Sequence, residues 1–132
     1  VLFRSVNSSS TQERLAEQLR SDMVIVSHEI FLQIESDETV IAINIHKPEK
    51  QEQVWACRYE IAWPEGARIF EAIGFDALQA LVLALQMIGA EIYSISYHRE
   101  GRLRAYNDEK GYGFPVAAPL RDLLVGADKL AM

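Results

Sequence analysis

Polar and apolar positions alternate along most of the first half of this chain and then switch to a helical period. From Val24 to Glu35, Val24, Val26, His28, Ile30, Leu32 and Ile34 fall on one face, with Ser27, Glu29, Gln33 and Glu35 opposite. This period of two predicts a half-buried strand. Ser36-Asp37-Glu38 reads as a turn, and Thr39, Ile41, Ile43 and Ile45 supply the apolar face of a second, antiparallel strand. Lys47-Pro48-Glu49-Lys50 reads as a polar loop, because Pro48 cannot donate to a ladder. In Val54–Trp63, Trp55, Cys57, Tyr59, Ile61 and Trp63 alternate with smaller or charged residues, giving a third strand with an aromatic inner face. After the turn Pro64-Glu65-Gly66, residues 67–73 make a short fourth strand.

At Gly74 the period changes. Asp76 is a good N-cap and Gln79, three residues on, completes a capping-box pattern. Leu78, Leu81, Leu85, Ile88, Ile92 and Ile95 recur at steps of three and four and predict the sheet-facing stripe of one long buried helix. Its end falls between Gly89 and Tyr97, where the β-branched and aromatic residues also read as a strand. Arg102–Tyr106 is a candidate edge strand, and Pro119 opens a short C-terminal helix with Leu120, Leu123, Leu124, Ala127 and Leu130 on one stripe. The expected fold is α+β: a three- to four-stranded antiparallel meander packed by one long buried helix, with an edge strand and a short C-terminal helix.

Residues 1–22 stand apart from this pattern. Val1-Leu2-Phe3-Arg4-Ser5 is what GTG CTC TTC CGA TCT encodes, a string that ends a common sequencing adapter. A polar stretch follows it, and Met23 sits directly before the first strand. The expectation is a non-native or disordered extension over 1–22 and a single domain over 23–132.

The motif G-x-D-x-x-Q-A-L (Gly74, Asp76, Gln79, Ala80, Leu81), preceded by Trp55-x-Cys57-x-Tyr59 and followed by Gly113-Phe114-Pro115, resembles a bacterial domain-of-unknown-function family of about a hundred residues. The resemblance covers roughly residues 23–115. It implies a bacterial source and a small α+β fold, and it implies no activity and no catalytic residue.

Composition narrows the function classes. A formal net charge of −6 argues against general nucleic-acid binding, which rests on phosphate neutralisation by Lys and Arg. Residues 1–66 carry six basic and eleven acidic groups, against seven and eight in 67–132, so most of the excess lies in the first half. The single Cys57 suits a reducing, cytoplasmic setting. The apolar run near residues 77–90 is interrupted by Gln79 and Gln86 and is shorter than a typical span, so no membrane insertion is expected.

The chemistry-bearing residues each carry a plain and a sharper reading. Asp76 at a helix start suits a cap better than a phosphate site, since its carboxylate occupies the N–H groups and repels an anion. Cys57 with His28 or His98 would make a thiolate nucleophile only with a base in reach, and its place on an inner strand face points to an inert thiol. His28, His46 and His98 lack metal-ligand spacing, so no metal and no cofactor are expected. His98, Arg99, Arg102 and Arg104 form a candidate anion patch, or alternatively charges that keep an edge strand from pairing. Opposite the predicted stripe, Leu83, Gln86, Met87 and Tyr93 form a candidate partner surface, for a homodimer or another protein, unless the C-terminal helix covers it. The reading that follows is a non-enzymatic binding or interaction module. The alternative is a small-ligand-binding protein or enzyme with an aromatic pocket near Trp55, Tyr59 and Trp63.

Overall fold

The computed structural model describes residues 2–5, 23–106 and 111–115; for residues 2–5 only the backbone is considered. Its elements are β1 (Leu2–Ser5), β2 (Val24–Ile34), β3 (Asp37–His46), β4 (Glu49–Gln51), β5 (Val54–Trp63), β6 (Gly66–Gly74), helix α1 (Ala77–Ser94), the single turn α2 (Ser96–Arg99) and β7 (Leu103–Arg104). The class is α+β, as the periodicity predicts. The sheet is mostly antiparallel and follows the order β1-β6-β5-β3-β2-β7, with β4 also pairing to β5, so it has more strands than the expected three or four.

Two local differences account for the extra strands, and a third shortens the edge strand. Leu2–Ser5, set aside on sequence, pairs antiparallel with β6. Glu49–Gln51, read as a loop, pairs with Val54–Ala56 of β5, while Ile43–Ile45 of β3 pairs with Tyr59–Ile61. Pro48 therefore interrupts the pairing along one side of β5 rather than ending it: the register is broken over residues 46–48 and resumes at Glu49, shifted by one residue. The candidate edge strand shrinks to Leu103–Arg104, which pairs with Phe31 and Leu32 of β2. The predicted C-terminal helix lies outside the described residues. The β2–β3 turn falls on Glu35-Ser36, one residue earlier than expected, with Glu35 at φ 56°.

The chain divides into two compact units, residues 1–28 with 42–84 and residues 29–41 with 85–132; β2, β3 and α1 run through both. In the first unit, β5 and β6 pair over nine residues, from Trp55 opposite Gly74 to Trp63 opposite Gly66. Cross-strand partners share a face, so Cys57, Tyr59, Ile61 and Trp63 lie with Ala72, Phe70, Arg68 and Gly66, and the first four are buried as their alternation predicts. Tyr59 stacks on Phe70 with ring centroids 6.2 Å apart. In the second unit, Ile30, Leu32, Ile41, Ile88, Ile92, Tyr93, Tyr112 and Phe114 are buried. At about 25 cal/mol per Å² of apolar surface, such side chains supply most of the stabilisation of a domain this size.

Helix α1 resolves the question of where the helical run stops. It ends at Ser94, whose hydroxyl donates back to the Ala90 carbonyl at 2.6 Å. Ile95 is extended (φ −79°, ψ 151°), and α2 then turns into Gly101, whose φ of 71° suits a residue without Cβ.

Candidate functional site

The helix-start motif is a joint. The Gln79 N–H donates to Asp76 Oδ1 at 2.7 Å, and Gln79 Oε1 accepts from the Phe75 N–H at 2.6 Å. The return bond reaches one residue farther upstream than in the usual capping box. A Cβ placed on Gly74 would sit 2.6 Å from the Ala80 backbone nitrogen and 3.0 Å from its Cα. Gly74 and Ala80 are thus a steric pair and Asp76 and Gln79 a hydrogen-bonding pair, which accounts for four of the motif's five residues without invoking a ligand.

That close approach also explains why the predicted stripe is rotated. The residues of α1 that are fully buried are Ala80, Ala84, Ile88 and Ile92, each four apart. In its first half only alanine fits, and alanine carries little weight in a pattern built from large side chains. Leu78, predicted to face the sheet, is 70% exposed; Leu81 and Leu85 are half-buried. Of the candidate partner surface, Leu83, Gln86 and Met87 are half-buried, and Tyr93 is buried outright. Tyr93 meets the rings of His98 and Tyr112 edge-on, with centroids at 4.8 and 5.1 Å. The surface that α1 does present is Phe75 (83% exposed), Leu78 and Val82 (39%). Leu78 and Val82 share a face at i,i+4, and Phe75 precedes them by one turn.

The candidate anion patch does not converge. Arg104 forms a bidentate pair with Glu38, at 2.6 and 2.8 Å, and lies 4.5 Å over the Phe31 ring. Arg102 donates to the Gln33 carbonyl at 2.8 Å, pairs with Glu100 at 3.1 Å and covers the Tyr97 ring. Arg99 donates to the Ser94 carbonyl at 2.5 Å, at the α1 C-terminus, where a cation offsets the helix dipole. His98 Nδ1 lies 2.5 Å from the Tyr112 hydroxyl, and burial, with a smaller push from Arg99, lowers its pKa below the ordinary imidazole value. Each cation is engaged by its own structural partner. The residue sequence reasoning missed is Glu38, whose role as the Arg104 acceptor spans 66 positions. Arg104 holds its carboxyl below the usual range.

The nucleophile reading of Cys57 meets the same end. Its thiol is buried, donates to the His46 carbonyl at 3.4 Å, and is pushed up by burial to a pKa of about 11. At neutral pH the thiolate is then scarce, and iodoacetamide should alkylate the folded chain at least about a hundredfold more slowly than the unfolded one. Mass spectrometry against time checks this; rapid stoichiometric labelling would contradict it. No group of three or more His, Cys, Asp or Glu side chains among the described residues is arranged to hold a metal ion. Of the residues named for the aromatic pocket, Tyr59 and Trp63 are buried in the core and Trp55 is half-buried.

On the opposite face of the first unit lies a polar array that the alternation did not single out. Ser27 Oγ donates to Asn44 Oδ1 at 2.7 Å, and Asn44 Nδ2 donates to Glu60 Oε1 at 3.0 Å. Arg58 is buried between strands, opposite Glu71. Burial lowers its proton affinity, and the charges of Glu60 and Glu71 raise it. A hollow beside it, lined by His46, Lys47, Gln51, Arg58 and Glu71 among others, measures about 30 Å³. That is room for a few water molecules, far below the few hundred Å³ of a pocket for an organic ligand. By length and mean hydropathy, 1.4 over 18 residues, α1 would also suffice to cross a bilayer, a test that core helices pass as well.

No curated protein and no solved structure matches the chain. A family model matches residues 26–116, from within β2 through β7 and both helices, and by that match the chain belongs to the domain-of-unknown-function family DUF6968.

Proposed function

We propose that the domain works by binding rather than by catalysis, and that the row Phe75, Leu78 and Val82 meets a basic segment of a partner protein that carries apolar side chains of its own. The observation that carries this reading is the exposure of two large apolar side chains, at 83% and 70%, on the capped end of α1. A rigid helix end is a better platform than a loop, because the row is ordered before the partner arrives. The sign of the partner follows from charge. The chain carries −6, so a second copy is repelled at long range while a basic segment is drawn in.

The test uses two helical peptides, one of Leu and Lys and one of Leu and Glu, followed by fluorescence anisotropy at moderate salt. The Leu/Lys peptide should bind, and the double variant Phe75→Glu, Leu78→Glu should weaken it by about tenfold or more. Val40→Glu, at an exposed apolar position in the other unit, should leave binding unchanged. Equal binding of both peptides, or equal loss with Val40→Glu, would contradict the reading. Self-association of the native chain that the double variant abolishes would also overturn it, in favour of a second copy.

A further inference from the structure

We infer that the hollow beside Arg58 is a binding site for a small planar oxyanion, of the size of nitrate or bicarbonate, taken up together with a proton on His46. The break in the pairing along β5 makes the site. β3 pairs with β5 as far as Ile45 opposite Tyr59, and β4 takes over at Glu49 opposite Ala56 with the register shifted by one residue. Breaks of this kind re-aim side chains that a regular ladder would hold in line. His46, the last residue of β3, and Ala56, whose side chain is a single methyl, both line the hollow that results.

The backbone at His46 is held on both sides. Its carbonyl accepts from the Cys57 thiol at 3.4 Å, and the Lys47 N–H donates to the Met23 carbonyl at 2.9 Å. By the period of two, the His46 side chain shares the outer face with Asn44, whose amide reaches Glu60. His46 is only 5% exposed, yet its Nε2 is buried and has no hydrogen-bond partner among the described residues. Buried polar groups are nearly always paired, so a nitrogen left over at the wall of a hollow marks a place for a ligand atom.

Size and charge choose the ligand. A volume of about 30 Å³ takes an ion of a few heavy atoms in place of a few waters. Glu71 stands opposite Arg58 and offsets its charge, while Lys47 and Glu49 are exposed and offset each other; Glu60, farther along the face, accepts from Asn44. The lining is therefore close to neutral, and a bare negative charge inside it would be costly. A proton on His46 removes that cost, and imidazole is the lining group whose chemistry allows it near neutral pH. The imidazolium then donates a charge-assisted hydrogen bond to one oxygen, and Lys47 supplies a donor for a second. A metal ion fits worse, because no group of three or more His, Cys, Asp or Glu side chains among the described residues is arranged to hold one, and Lys47 and Arg58 repel it. The site shares no residue with the row Phe75, Leu78 and Val82 and does not depend on it.

The experiment follows the ring nitrogens of His28, His46 and His98 by NMR in the isotope-labelled full chain, while sodium nitrate replaces sodium chloride at constant ionic strength. Nitrate has the required shape and keeps one charge at every pH used. The His46 ring signals should shift saturably and those of His28 and His98 should not. Because a proton enters with the anion, binding should be about tenfold or more tighter at pH 6 than at pH 8. His46→Gln keeps an amide donor and cannot take the proton, so it should bind at least about tenfold more weakly at pH 6 and lose the pH dependence. Lys50→Gln, outside the lining, should change nothing. If His46→Gln fails to fold, the pH dependence and the selective shift of His46 in the wild type carry the test. Equal shifts at all three rings would mean an adventitious ion only, and no shift would mean that water alone fills the hollow. Either result overturns the inference, as does equal affinity at the two pH values.

Discussion

Gly74→Ala should destabilise this domain by about 2–4 kcal/mol, the largest effect expected of so small a change. The added methyl lands 2.6 Å from the Ala80 nitrogen and 3.1 Å from the Gln79 carbonyl carbon. These are backbone atoms of the first helical turn and no rotamer change moves them aside. The helix start has to shift, and with it go the Phe75–Gln79 and Gln79–Asp76 bonds that satisfy the orphan donors. Overpacking accounts for about 1–3 kcal/mol of the loss and the cap for about 1 kcal/mol. Asp76→Ala removes the cap alone and should cost about 1 kcal/mol. The double variant should be less than additive, because both changes act on one joint. Thermal unfolding followed by circular dichroism checks the order. A Gly74→Ala chain as stable as the wild type would show that the close approach is not needed.

The second large effect is expected at Arg58. Arg58→Met keeps most of the packing of the side-chain stem and removes the charge, leaving the Glu60 and Glu71 carboxylates without it on a buried face. The expected cost is about 3 kcal/mol, at the low end for breaking a buried ion pair because Glu60 and Glu71 are themselves only half-buried. Adding Glu60→Gln and Glu71→Gln should recover most of it. The amide introduced by Glu60→Gln would still accept from Asn44, and no uncompensated charge would remain. Urea denaturation of the single and triple variants decides. If the triple variant is no more stable than Arg58→Met, then Arg58 matters through packing and not through charge.

Much of this fold is readable because its residues alternate or recur plainly. Ile41, Ile43 and Ile45 are buried where a period of two puts them, and the Asp76/Gln79 cap forms at the predicted pair of residues. The departures have physical causes. Pro48 hides β4, because it looks like a stop but lies in a short break between two strands that share β5 as a neighbour. The α1 stripe is rotated because Gly74 brings the helix start so close that Ala80 and Ala84, not the leucines, fill the buried positions. That rotation exposes Leu78 and buries Tyr93, so the exposed apolar row lies on the first turns of the helix rather than at its middle. The arginine patch resembles a site in the sequence because Arg99, Arg102 and Arg104 are close together there. Their acceptors, Ser94, Gln33 and Glu38, are scattered along the chain, and no local pattern announces a pair 66 residues apart.

Gly74, Asp76, Gln79 and Ala80 thus hold the helix start, while the neighbouring Phe75 and Leu78 stay exposed, where the proposed partner would meet them. One measurement tests both halves of that division: the affinity of the Leu/Lys peptide for the Phe75→Glu, Leu78→Glu chain, read beside the melting temperature of that chain. The predicted result is a melting temperature within about 3 °C of the wild type, since exposed positions carry little stability, together with binding weakened by about tenfold or more. Binding that survives the double substitution, or a chain that no longer folds with it, would contradict the division.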